Sequence, residues 1–127
     1  MPRFLRDRSG ATAAEFGLIL IPMILLTLGT INAAVMVYTA SALHFAVEKT
    51  ARWTAIQTTV GGGTAPGATA IQAYGVSVYK GATPAVTFTA TAPGCGARIA
   101  ATANYNFTTG VTSSVVPITA SACYPLG

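Results

Sequence analysis

The chain has 127 residues, with seven Lys or Arg, three Asp or Glu, 8% charged residues, 52% hydrophobic residues and a mean hydropathy of +0.57. Soluble globular chains carry about 25% charged residues, and disordered ones need low hydrophobicity and high net charge, so the composition excludes disorder and points to a membrane or assembled protein. The net charge of +4 does not signal nucleic-acid binding. Arg3, Arg6, Arg8 and Asp7 are gathered at the N-terminus, while Lys49, Arg52, Lys80 and Arg98 are scattered. Phosphate neutralisation needs clustered cations. The length allows one domain at most, and a remainder outside a membrane would be too small for a robust core without help.

No Asp, Glu, Lys or Arg occurs from Phe16 to Val47. The apolar heart, Phe16 to Tyr38, gives about 34 Å of helix at 1.5 Å per residue, enough to cross a hydrocarbon layer of about 30 Å. A signal peptide would have a shorter apolar region and a small-x-small cleavage site, and the remaining chain could hardly enclose so long a rod as a core helix. The span is therefore assigned to residues 16–38. The arginines before it place the N-terminus in the cytoplasm and the C-terminal part outside. Inside the span, Pro22 deprives the Leu18 carbonyl of its helical partner and predicts a bend. That kink either has no further role or serves helix packing, and the residues leave both open. Gly17, Gly29, Ala33 and Ala34 offer small surfaces for another helix.

The join between basic head and span reads Arg6-Asp7-Arg8-Ser9-Gly10-Ala11-Thr12-Ala13-Ala14-Glu15-Phe16. A carboxylate at the edge of an apolar run costs energy even near the interface, and favourable charge near a helix N-terminus explains only its tolerance. A short basic leader ending in Gly10, then Glu15 fifth and Phe16 sixth when Ala11 is counted first, resembles the precursors of type IV pilin-like proteins. More narrowly, Arg8 through Pro22 is similar to the N-terminus of TadE-like proteins, pseudopilins or minor pilins of tight-adherence (Flp) pilus systems. The similarity continues through Phe45-Ala-Val-Glu-Lys-Thr-Ala-Arg52 and holds beyond it only in general layout. Asn32 departs from the family, whose members often carry an acid late in the span.

The resemblance implies processing between Gly10 and Ala11 by a prepilin peptidase, and assembly through Glu15 and Phe16. The Glu15 carboxylate would meet the new N-terminal amine of a neighbouring subunit, since a charge in an apolar bundle demands an opposite partner. The implied partners are the peptidase, other pilin subunits, the inner-membrane assembly machinery and the lipid bilayer. The implied location is the bacterial inner membrane, single pass with the C-terminal domain periplasmic, and the extracellular pilus after assembly.

Residues 39–59 continue as helix, so that residues 11–59 read as one rod. Ser41, His44, Glu48 and Arg52 share a polar face, with Leu43, Ala46, Val47, Ala51 and Trp53 away from it. Glu48 and Arg52 are spaced for an i,i+4 pair worth about 0.2–0.5 kcal/mol. His44, the lone histidine, would need partners to act as a metal or catalytic residue and is read as a solvated or interface residue. Residues 60–70, with Gly61-Gly62-Gly63 and Pro66-Gly67, form a linker; a phosphate loop would follow a strand and usually carry Lys.

Residues 71–127 are expected to be a β-rich extracytoplasmic domain. Alternation in Ile71–Val78 predicts a first strand, and Ala85–Thr91, Arg98–Thr108 and Ser114–Ala122 predict three more. Gly81 with Pro84, Pro93–Gly96 and Thr109–Gly110 supply the breaks. The resulting fold class is α+β and pilin-like, a long helix packed against a small antiparallel sheet. Pro117 marks an edge or bulged strand. Val86, Phe88, Ile99, Tyr105 or Phe107, and Trp53 are core candidates.

Cys95 and Cys123, both in the exported part, are read as a disulfide contributing about 3–4 kcal/mol by the chain-entropy estimate. A metal pair is the competing reading, for which two cysteines and distant His44 make a poor set. Asn106-Phe107-Thr108 fits a glycosylation sequon by pattern only. No cofactor or metal is expected, nor an enzyme, because the strand region has no Asp, Glu or His and nothing converges for acid–base work. Two readings remain: a processed pilus subunit acting in surface adhesion, and a single-span membrane-anchored binding module that never polymerises.

Overall fold

The computed structural model describes residues 9–83, 85–91 and 94–127. The basic leader through Arg8 lies outside the described residues, as do Pro84, Ala92 and Pro93. Five elements follow in chain order: α1 (Ser9–Val60), α2 (Ala68–Val78), β1 (Val86–Thr91), β2 (Ala97–Thr108) and β3 (Ser113–Tyr124). The strands form one antiparallel sheet of order β1-β2-β3, and the long helix packs against it, the α+β arrangement expected.

The 52 residues of α1 run without interruption through Pro22, about 78 Å at 1.5 Å per residue. Its two halves differ in surroundings. From Ala11 to Ile31 no residue is buried. From Thr39 onward one face is: Leu43, Ala46, Val47, Thr50, Ala51, Thr54, Ala55 and Thr58 recur at helical spacing and are buried. The polar face expected opposite them, Ser41, His44, Glu48 and Arg52, is exposed. Threonine suits the buried face because each hydroxyl bonds back to the preceding turn, Thr50 to the Ala46 carbonyl at 2.7 Å and Thr54 to that of Thr50 at 2.8 Å, so no polar atom goes unsatisfied.

The helix ends in a Schellman turn. Gly62 takes φ +67°, and the Gly63 N–H donates to the Thr58 carbonyl at 2.8 Å. A residue with a Cβ would be strained at that φ.

The expected strand over Ile71–Val78 is instead helix α2, and the sheet has three strands rather than four. The segment fits both periods, and packing selects the helix. Ile71 and Gly75 fall on the buried face one turn apart, Tyr74 stacks on Trp53 with centroids 4.6 Å apart, and Phe88 fills the space above Gly75. Gln72, from the same helix, completes the arrangement. Its Nε2 donates to the Val86 carbonyl at 2.8 Å, and its Oε1 accepts from the Phe88 N–H at 2.6 Å. The carboxamide thereby occupies part of the free edge of β1 as a neighbouring strand would.

The other strands lie close to their expected positions. On the sheet's inner face the register aligns Phe88, Ala101 and Ala120, then Val86, Ala103 and Ile118. The central row is small, which lets α1 approach closely, while Ile99 and Tyr105 close the two ends. Phe107 is only half-buried. Pro117 sits on β3, an edge strand, as anticipated.

Gly75→Ala tests the α2 packing. A Cβ there would lie 2.6 Å from the Phe88 ring. Overpacking typically costs about 1–3 kcal/mol, more than the roughly 1 kcal/mol that Ala gains over Gly in a helix. The expected result for the full chain in detergent is a lowered unfolding midpoint, partly restored when Phe88→Leu is added.

Candidate functional site

The residues singled out by the sequence fall into two groups at opposite ends of the molecule. Gly10, Ala11, Glu15 and Phe16 lie on the first turns of α1, all exposed. Cys95 and Cys123 form a disulfide at the far end of the sheet, where Cys123 lines a cleft with Arg52 and Trp53. Glu15 and Arg52 are 37 residues apart along one helix, about 55 Å.

At the lower end, Gly10 and Ala11 lie on α1 and are exposed. Among the described residues no side chain pairs with Glu15. Around and beyond it the rod is apolar on every side: Phe16 is 65% exposed, Leu18 74% and Leu26 71%. A helix that is hydrophobic all round needs lipid or other helices as its surroundings. Its length and composition are compatible with a single-pass membrane anchor.

The polar side chains in this stretch are satisfied locally. Thr27 donates to the Met23 carbonyl at 2.7 Å, Thr30 to that of Thr27 at 2.9 Å and Asn32 to that of Leu28 at 3.2 Å. Such back-bonding is what allows hydroxyl and amide groups in an apolar helix. Pro22 lies within the same stretch.

Two contacts that sequence reasoning did not find tie the sheet domain to the rod. The Tyr105 hydroxyl bonds both the Asn32 carbonyl and Asn32 Oδ1 at 3.3 Å, and the Tyr38 hydroxyl donates to the Lys80 carbonyl at 3.0 Å. They join residues 73 and 42 positions apart, and no local pattern encodes such pairings.

At the upper end an open cleft of about 820 Å³ lies between α1, α2 and β3, with Phe45, Lys49, Arg52, Trp53, Tyr74 and Tyr124 on its walls. Lys49 Nζ sits 5.2 Å from the centroid of Phe45, a cation–π contact. Glu48 also lines this cleft but makes no ion pair with Arg52 among the described residues, contrary to the spacing-based expectation. An exposed pair gains little against the entropy of fixing two long side chains. His44 is exposed on the solvent face. The aromatic walls and mixed charges give this cleft the means to hold a partner's surface. Among the described residues no three of His, Cys, Asp and Glu converge.

Residues 10–52 match the family model described as TadE-like protein. The match covers α1 as far as Arg52 and ends before the sheet. It supports a pilin-like role associated with a Tad pilus and interaction with other pilus components. No curated protein and no solved structure matches the chain.

The disulfide joins residues 28 positions apart, with Cα atoms 6.4 Å from one another. Replacing both cysteines by Ser is expected to remove about 3–4 kcal/mol. Denaturant unfolding of the full chain in detergent, with and without reductant, measures the loss. The double variant should be insensitive to reductant.

Proposed function

We propose that the chain is a minor pilin or pseudopilin of a tight-adherence pilus, held by α1 in the bacterial inner membrane with its sheet domain in the periplasm. It is processed after Gly10 by a prepilin peptidase and then enters, or initiates, a pilus used in surface adhesion. The observation that carries this reading is the bare apolar rod of α1, which ends in Glu15 and matches the TadE-like family over residues 10–52.

The chemistry follows from charge and burial. Hydrolysis after Gly10 removes Arg3, Arg6, Arg8 and Asp7, a net charge of +2, and creates an amine on Ala11. Glu15 is then left in an apolar stretch whose next charged residue is Glu48. When rods leave the lipid and pack against each other, a carboxylate without a cation is strongly disfavoured. The Ala11 amine of a neighbouring subunit supplies the opposite charge, and only a properly staggered neighbour brings it within reach. Pairing therefore selects register as well as association. Dispersion contacts of Phe16, Leu18 and the other apolar side chains provide the bulk of the attraction. The role is structural, with no catalytic step by this chain.

A second reading, an anchored binding module that does not polymerise, is favoured by the aromatic cleft at the upper end. The mass of the mature chain from native membranes separates the two. A start at Ala11 supports the pilus subunit, and an intact start at Met1 or Pro2 in cells with active prepilin peptidase overturns it. Glu15→Ala should insert and be processed normally while the yield of assembled pili falls. Unchanged pilus yield would remove the carboxylate from the mechanism.

A further inference from the structure

We infer that the turn closing β2 and β3, Thr109–Thr112, rests in the headgroup layer of the membrane that holds α1, and that Leu28 to Asn32 mark the outer edge of the hydrocarbon. This rests on the anchored reading of α1 and moves the boundary inward from Tyr38, where the apolar run alone would put it.

The geometry starts from the direction of the strands. Tyr124 and Pro125, at and just after the end of β3, line one shallow surface pocket with Ala55, Ile56 and Val60 at the top of α1, while Tyr105, near the other end of the hairpin, bonds Asn32. The twelve residues of β2 span about 40 Å at 3.3 Å each, and α1 from Leu28 to Ile56 spans about 42 Å. The hairpin thus runs the whole way down, and its turn comes level with Leu28. A Cβ on Gly110 would sit 3.8 Å from Leu28 Cδ1.

A hydrocarbon layer reaching to Tyr38 would bury about 15 Å of the seated sheet in lipid. Irregular backbone is not tolerated bare at that depth. With the boundary at Leu28 to Asn32 the conflict disappears. Ala11 to Leu28 gives about 27 Å of helix and Ala11 to Asn32 about 33 Å, bracketing the hydrocarbon thickness of about 30 Å.

The chemistry of the turn suits an interface. After Arg98 the sequence contains no Asp, Glu, Lys, Arg or His. The turn's own polar groups bond each other: the Thr109 N–H donates to the Thr112 carbonyl at 3.0 Å, the Thr112 N–H to Thr109 Oγ1 at 3.3 Å, and the two hydroxyls lie 3.1 Å apart. Val111 is 77% exposed and Val115 60%, so apolar side chains project beside a turn that has already met much of its hydrogen-bonding need. Such a surface fits the boundary between headgroups and acyl chains. One consequence reaches the other leaflet. Glu15 then lies about 6 Å inside the hydrocarbon rather than at its edge, where the demand for an opposite charge is greater.

The test uses the full chain in vesicles of acyl-brominated phosphatidylcholine, with single tryptophans placed on a Trp53→Phe background. Val111→Trp reports the turn, Ile21→Trp the middle of the span and Val60→Trp the top of α1. The expected result is a blue-shifted, quenched emission from Val111→Trp and Ile21→Trp, with Val60→Trp unaffected; Val115→Trp serves as a second probe of the same contact. If Ile21→Trp is quenched while Val111→Trp and Val115→Trp behave like Val60→Trp, the interfacial turn is overturned and the anchor stands. If Ile21→Trp is not quenched, the anchor itself fails and the inference falls with it.

Discussion

Everything in this molecule depends on one helix having two different surroundings along its length. Below Leu28 the surface of α1 is predominantly apolar and none of the described residues buries it; above Thr39 one face is covered by the sheet and the other carries His44, Glu48, Lys49 and Arg52. The two halves cannot both be satisfied by water. Continuity of the helix backbone transmits this division, so the position of the sheet domain on α1 also fixes how much rod is left for a membrane or for neighbouring subunits.

The seat of the sheet on α1 is made with small residues. Ala46, Ala51 and Ala55 face a sheet whose inner centre is Ala101, Ala103 and Ala120. Small side chains bury less apolar area each, but they let the layers approach closely, and buried threonines join the interface by bonding back to their own helix. The disulfide adds stability that a core of this size supplies weakly. Both sheet edges are also managed. Gln72 occupies part of the β1 edge, and Pro117 withholds a donor from β3, which limits unwanted strand pairing.

The near absence of charge serves the same division. On the proposed pilus reading, a rod that moves from lipid into a helical bundle gains nothing from ionic side chains except where a specific partner awaits, and Glu15 is the one carboxylate in that stretch. The outer face of the sheet is surfaced by neutral groups such as Thr87, Thr102, Asn104, Asn106 and Thr119. Water or a polar headgroup layer satisfies these groups without fixed charge.

The sequence by itself determined the helix, its apolar lower half, the polar stripe of its upper half, the three strands from Val86 onward and the grouping of Gly10, Ala11, Glu15 and Phe16, because each is a local pattern of period, charge or spacing. Tertiary structure decided the rest. Ile71–Val78 alternates well enough for a strand and contains Gly75, a poor helix former; the Phe88 ring, the Trp53 stack and the Gln72 bonds to β1 make it a helix. Hydropathy likewise does not separate bare rod from sheet-covered rod, since an apolar residue scores alike against lipid and against a sheet. The bond of Tyr105 to Asn32, and the approach of Gly110 close enough that an added Cβ would meet Leu28, show where the sheet domain begins to cover the rod, and pairings between residues so far apart in the chain leave no periodic trace in it.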